Sequence, residues 1–217
     1  MSFPLLLGHR GARATRSIPE NTLASFDLAL AHGCDGFEFD VRQTGEGRCV
    51  ICHDPEIEGV EIARAGAGEL ANLPVLEEVL DRYRGRAFLD IEIKVPGIEN
   101  AIVENLRTHP PQRGYVVSSF LPDVLLELRG LDADLPLGLI CETRTQLAAW
   151  ERLPVQFVIP HFTLADIDIC SAVHAAGRKL FTWTVNLQEQ MLRFQEMSVD
   201  GIISDNTEML GRFRGKG

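Results

Sequence analysis

Carboxylates stand in this sequence where apolar side chains are expected. The run GFEFDV carries Glu38 and Asp40, and the run AFLDIEIK carries Asp90, Glu92 and Lys94, inside segments that otherwise read as buried β-strands. Strand side chains repeat every second residue, so Glu38 shares a face with Asp40, and Glu92 with Lys94. Ionised groups in such surroundings are costly unless paired, and three converging carboxylates repel one another. A hard divalent cation relieves both costs. Glu38, Asp40 and Glu92 offer oxygen ligands only, which suits Mg²⁺ or Ca²⁺ rather than zinc. The competing reading is salt bridging among Glu38, Asp40, Arg42 and Lys94, which two acidic strands in succession make less comfortable.

Two histidines are placed to work beside such an ion. His9 ends the run LLLGH and His53 ends a probable hairpin, RCVICHD, that returns beside the first acidic strand. Imidazoles on either side of a bound phosphate supply a general base and a general acid near neutral pH, although each histidine alone could equally be structural. Arg10 and Lys94 add the positive charge that an anionic ester needs in an acidic protein. Trp183, in TWTVN, suits an apolar wall over a ligand, with a core role as the alternative. Ser204, Asp205 and Asn206 precede the last helical segment, a junction where backbone N–H groups can hold phosphate. Asn186 lies on the seventh strand, and His161 ends the sixth. His32 and His174, in helical segments, read as packing or surface residues, and His109 is a weaker candidate. The string Cys49 to His53 spells a haem-attachment pattern, which the alternation of a strand and the lack of an export signal argue against.

These side chains need elements to hold them. Eight β-branched or apolar runs, LLLGH, GFEFDV, AFLDIEIK, GYVVSSF, PLGLICE, FVIPHF, KLFTWTVN and GIISD, alternate with segments of helical period. Asn21 is expected as an N-cap, and Gly33 and Gly177 as helix ends. Eight such units in 217 residues fit an α/β fold, a (β/α)8 TIM barrel near its lower size limit. A doubly wound sheet fits less well, because GHRGA lacks the Gly-rich fingerprint. The rhythm breaks around the second unit, where residues of about 43–73 form a short insertion on the rim. The chain, 1–217, then reads as a single barrel domain. In a barrel the C-terminal strand ends carry the site, which is where the polar residues fall.

Lysine and arginine number 21 against 31 aspartate and glutamate, a net charge of -10 that argues against nucleic acid or an anionic membrane as partner. Five cysteines, odd in number and set among apolar neighbours, read as reduced thiols and point to the cytoplasm. The start, MSFPLLLGHRG, has no positive n-region, and no run approaches the ~20 apolar residues of a membrane span, so no stable membrane association is expected. The sequence sets no oligomeric state.

Taken in order, GHRGA, PENTLASF, GFEFDVRQT, HDP, LPVLEEVL, IEIK, SSF, WTVN and VDGIISD resemble the glycerophosphodiester phosphodiesterase family, essentially end to end. The resemblance implies hydrolysis of glycerophosphodiesters to glycerol 3-phosphate and an alcohol. Carried over residue by residue, it implies His9 and His53 as acid and base, Glu38, Asp40 and Glu92 as metal ligands, and Arg10 and Lys94 as phosphate-binding groups. The sequence departs from the family in a longer stretch before PENT, in TGEG, in a short insertion after HDP and in SDN after the eighth strand. Two rivals remain: a related barrel phospholipase acting on lipid phosphodiesters, and a non-catalytic phosphodiester-binding barrel.

Overall fold

A computed structural model describes residues 3–66 and 68–214. Eight parallel strands form the barrel: Leu5–Gly8, Gly36–Gln43, Phe88–Ile93, Tyr115–Ser119, Leu137–Cys141, Phe157–Pro160, Lys179–Thr182 and Gly201–Ser204. The first strand pairs with the eighth along its whole length and with the second through Leu7 and Gly8, which closes the ring. Eight helices follow the strands: Leu23–Ala31, Leu76–Tyr83, Glu99–Thr108, Pro122–Leu131, Arg144–Leu147, Ile167–Ala175, Gln188–Glu196 and Thr207–Arg214. The expected (β/α)8 order is therefore the observed one.

The barrel floor is aromatic. Phe88 and Phe157 open their strands, Phe181 is the third residue of its own, and the three rings meet with centroids 5.1–6.4 Å apart. With Leu7, Val116, Ile140, Ile159 and Ile203 they form one buried cluster that fills the barrel interior. Glycine makes the room. A Cβ on Gly201 would lie 2.6 Å from the Phe181 ring, and one on Gly36 would lie 1.8 Å from the carbonyl oxygen of Phe88. Outside the strands, Phe26 stacks on Phe37 at 4.2 Å while Tyr83 meets Phe37 edge-on at 4.8 Å, pinning the first two helices to the second strand.

Two local expectations are corrected. Thr22, rather than Asn21, caps the first helix, its side chain accepting from the Ser25 backbone N–H. Asn21 is drawn away to Asp40 instead. The segment TRTQLAAWERL makes one α-turn, Arg144–Leu147, and then tightens into a 3₁₀ turn, Ala148–Glu151, that delivers Trp150 to the core.

Between the second strand and the second helix, Cys49–Ile51 pairs antiparallel with Val41, Arg42 and Gln43. A small ladder of Glu56–Ile57 with Val60–Glu61 follows. Val50, Cys52, Ile62, Ala65, Leu70 and Val75 give this excursion its own apolar cluster. Its position fixes His53 at the barrel mouth.

Candidate active site

Register brings the acids together. In the pairing of the second and third barrel strands, Glu38 stands opposite Asp90 and Asp40 opposite Glu92. All four are buried. Two cations stand among them. Lys94 Nζ donates to Glu92 Oε1 at 2.6 Å and lies 3.3 Å from Asp40 Oδ1, and Arg10 Nε lies 3.3 Å from Asp40 Oδ2. Arg10, held at a φ of 50°, also turns its backbone N–H to Glu38 Oε2 at 2.9 Å. Four carboxylates against two cations leave two negative charges when all are ionised.

The electrostatics show the imbalance. Burial pushes Glu38 well above the usual carboxylate range, and Asp40, Glu92 and Asp90 push in the same direction. Burial likewise raises Glu92 to about 7, with Asp40 adding to the rise and Lys94 opposing it. Asp90 is raised to about 7 by burial, against the hydroxyl of Ser118, which donates to its Oδ1 at 2.5 Å. Burial disfavours the Lys94 ammonium, but Glu92 and Asp40 outweigh it and hold its pKa above the ordinary value. Glu38 Oε1 and Asp90 Oδ2 are buried without a hydrogen-bond partner, and Asp40 Oδ1 is faced by the Lys94 ammonium at 3.3 Å without a hydrogen bond. Orphaned carboxylate oxygens of this kind ask for a cation. Glu38, Asp40 and Glu92 can each present an oxygen within 4.8 Å of the others, so the residues fit a hard divalent ion. Arg42 takes no part in this cluster. Its Nε donates to the carbonyl oxygen of His53 at 2.8 Å, which removes it from the salt-bridge network considered from sequence.

His9, Arg10, Glu38, His53, Glu92, Lys94 and Trp183 line one cavity of 380 Å³ at the barrel mouth, and Asp40 lies fully buried behind them. His9 and His53 differ in setting. His9 is buried, and its Nδ1 meets Asp205 Oδ1 at 2.7 Å, leaving Nε2 3.8 Å from Glu38 Oε2. Because an ionised carboxylate only accepts, the Nδ1 nitrogen carries the proton and Nε2 the free lone pair. Burial lowers the His9 pKa against the opposing pull of Asp205. Burial also acts on Asp205, but its bond to His9 and further bonds hold it well below the usual range. The His53 side chain is 35% exposed and its Nδ1 meets Asp54 Oδ1 at 2.7 Å.

Several site residues were not assigned these places from sequence. Asp205 accepts from Asn186 Nδ2 at 2.7 Å on its other oxygen, while Asn186 Oδ1 accepts from Ser204 Oγ and the Asp205 backbone N–H. This corrects the phosphate-binding expectation for the last strand end. The Asp205 amide is already bonded to Asn186 and the Asn206 amide to Ser204 Oγ, so neither is free for a ligand. Asn21, at a φ of 57°, donates to Asp40 Oδ2 at 2.8 Å. Glu20 bridges Arg10 and Arg13, and Arg13 reaches Asp205, so alternating charges run from the acid cluster to the partner of His9. Polar residues at strand ends were the signal for Asp205 and Asn186; the pairing itself spans nearly the whole chain. His161 bonds Thr163 and packs on Trp183, His32 bonds Thr207, and His174 bonds Asp200.

A (β/α)8 barrel with two imidazoles, two cations and an acidic oxygen cluster converging at its C-terminal mouth is built on the plan of a phosphoric-ester hydrolase. The profile of the Glycerophosphoryl diester phosphodiesterase family matches residues 9–77 and 67–209, and the chain belongs to that family and is an enzyme of it. It is 29% identical, over 95% of its length and 96% of the relative's, to the glycerophosphodiester phosphodiesterase of Caldanaerobacter subterraneus subsp. tengcongensis. The glycerophosphodiester phosphodiesterase of Bacillus altitudinis is 27% identical over 92% of this chain and 94% of its own. Among solved structures, an Oleispira antarctica phosphodiesterase in complex with the product sn-glycerol-3-phosphate superposes with a TM-score of 0.86 at 26% identity, covering 98% of this chain and 97% of that one. The Thermotoga maritima glycerophosphodiester phosphodiesterase shares the fold at a TM-score of 0.86 and 24% identity, covering 99% of this chain and 100% of that one.

Proposed function

We propose that the whole chain, 1–217, acts as one barrel domain that hydrolyses glycerophosphodiesters, with a divalent ion, to glycerol 3-phosphate and an alcohol. The observation that carries this reading is the convergence of His9, His53, Arg10, Lys94, Glu38 and Glu92 on one cavity. Glu38, Asp40 and Glu92 would hold Mg²⁺ or Ca²⁺, which when bound neutralises charge on the non-bridging phosphate oxygens. Arg10 and Lys94 hold the same phosphate from the protein side. His9, oriented by Asp205 through Nδ1, takes the proton of the attacking hydroxyl at Nε2. His53, half-exposed on the open side of the mouth, protonates the oxygen of the departing alcohol. Its partner Asp54 orients the ring from Nδ1, as Asp205 does for His9. Trp183 closes the cavity above the glycerol unit, its Nε1 tied to the carbonyl oxygen of Ile159 at 3.0 Å.

Among the described residues no helix is long and apolar enough to cross a membrane. The substrate is a small molecule. We place the reaction in the cytoplasm, a reading supported by five buried cysteines, none in a disulfide. Replacing His9 or His53 by Ala should lower turnover of glycerophosphocholine by about 10²- to 10⁴-fold with the fold intact. Wild-type rates in either purified variant would remove that residue from the mechanism.

A further inference from the structure

His53 is held to the barrel by few bonds. It lies one residue past the end of the ladder between the second strand and the returning segment Cys49–Ile51, where the Cys52 backbone N–H donates to the Asp40 carbonyl oxygen at 3.0 Å. Its ring partner Asp54 is 73% exposed, and such a pair sets the turn of the ring without fixing where the residue stands. The chain gains no close-packed backing as it leaves the site, because a second cavity of 410 Å³ opens beside Pro55, bordered also by Arg42, Ile62 and Val95. One side chain joins His53 back to the barrel. Arg42 follows Glu38 and Asp40 at the two-residue spacing of one strand face, and its Nε donates to the His53 carbonyl oxygen at 2.8 Å. Among the described residues this is the only hydrogen bond that the Arg42 side chain makes.

We propose that Arg42 is a positioning residue for the departure of the alcohol: its bond to the His53 carbonyl holds the imidazole over the oxygen to be protonated. The inference rests on the acid role proposed for His53. Proton transfer requires heavy atoms at hydrogen-bond distance, and a misplacement of about 1 Å can cost 10²-fold in rate. Without Arg42, the hydrogen bonds left from Cys52 to Asp54 are the Cys52 amide bond and two within the segment, from Cys52 Sγ to the Asp54 carbonyl oxygen at 3.5 Å and between the His53 and Asp54 side chains. Only the first of these ties the segment to the barrel. Arg42 acts on the backbone of His53 and does not line the mouth cavity, so its loss displaces the acid and leaves the phosphate site standing.

Two substitutions separate the bond from the bulk and charge of the arginine. Arg42→Gln keeps an N–H donor at the same distance along the side chain, and Arg42→Met keeps the length without the donor. With glycerophosphocholine, Arg42→Met should lower kcat about 10- to 100-fold with KM changed by less than about threefold, and Arg42→Gln should recover most of the loss. Glycerophospho-p-nitrophenol releases a phenolate that needs no proton, so on it both variants should stay within about threefold of the wild type. Arg42→Met combined with His53→Ala should cost no more than His53→Ala alone, because no imidazole is left to place. Equal loss on both diesters, additive losses in the double variant, or a wild-type kcat in Arg42→Met beside a slow His53→Ala would overturn the inference. A wild-type rate in His53→Ala would refute the acid role and the inference with it. Hydrogen exchange at the Cys52 amide reads the same anchor without turnover: Arg42→Met should speed it and Arg42→Gln should not. Faster exchange in Arg42→Met, with neither diester hydrolysed by the wild type, would uphold the anchoring of His53 and refute the hydrolysis; unchanged exchange beside full wild-type turnover would do the reverse.

Discussion

Asp90 is buried in the barrel with one carboxylate oxygen bonded to Ser118 and the other without a partner. Burial raises its pKa from 3.8 to about 7. In the unfolded chain Asp90 ionises from about pH 4, whereas in the fold it keeps its proton until about pH 7, so folding loses stability across that window as pH rises. At ~1.4 kcal/mol per pH unit the penalty reaches about 4 kcal/mol at pH 8, against about 2 kcal/mol at pH 5. Asp90→Asn preserves the shape and abolishes the charge. Its amide has its own hydrogen-bonding cost, but that cost does not vary with pH. Urea unfolding in chelator should therefore show the variant gaining on the wild type by roughly 2–3 kcal/mol between pH 5 and pH 8. A stability difference that stays the same at both pH values would refute the reasoning that an uncompensated buried carboxylate is held here. Saturating Mg²⁺ should shrink the gap, because a cation bound beside Asp90 supplies the missing positive charge.

Glu92→Gln should weaken Mg²⁺ and Ca²⁺ binding by at least tenfold in calorimetry, and an unchanged titration would exclude Glu92 as a ligand. Asp205→Asn leaves the shape of the His9 contact intact but no longer fixes the proton on Nδ1; kcat should fall about 10³- to 10⁴-fold with KM little changed, and a wild-type kcat would show that Asp205 does not orient the ring. Gly36→Ala places a Cβ against the Phe88 carbonyl, 1.8 Å away, at the seam between the second and third strands. A thermal midpoint lowered by more than about 5 °C is expected, and an unchanged midpoint would mean that the seam can open.

The strand order, the barrel and the acid cluster were legible because each leaves a local mark. A carboxylate two residues from another in an apolar run is visible without coordinates, and so is the alternation of strand and helix. What escaped were decisions made by distant partners. Asn21 satisfies the sequence rule for an N-cap, yet Asp40 claims its side chain and Thr22 caps the helix instead. Asp205 and Asn206 satisfy the rule for a phosphate-binding junction, but their amides are bonded to Asn186 and Ser204, and the Asp205 carboxylate is turned on His9. Arg42 has the right charge and spacing for the acid cluster but is bonded to the carbonyl of His53. In each case the residue type narrowed the choices and the closed barrel selected among them.

The most direct test of the proposed reaction is release of glycerol 3-phosphate from glycerophosphocholine by the purified, metal-stripped protein, with Mg²⁺, with Ca²⁺ and with chelator. Release that requires a divalent ion and is lost in chelator is the expected result. No release with either ion, from folded protein and across several glycerophosphodiesters, would contradict it.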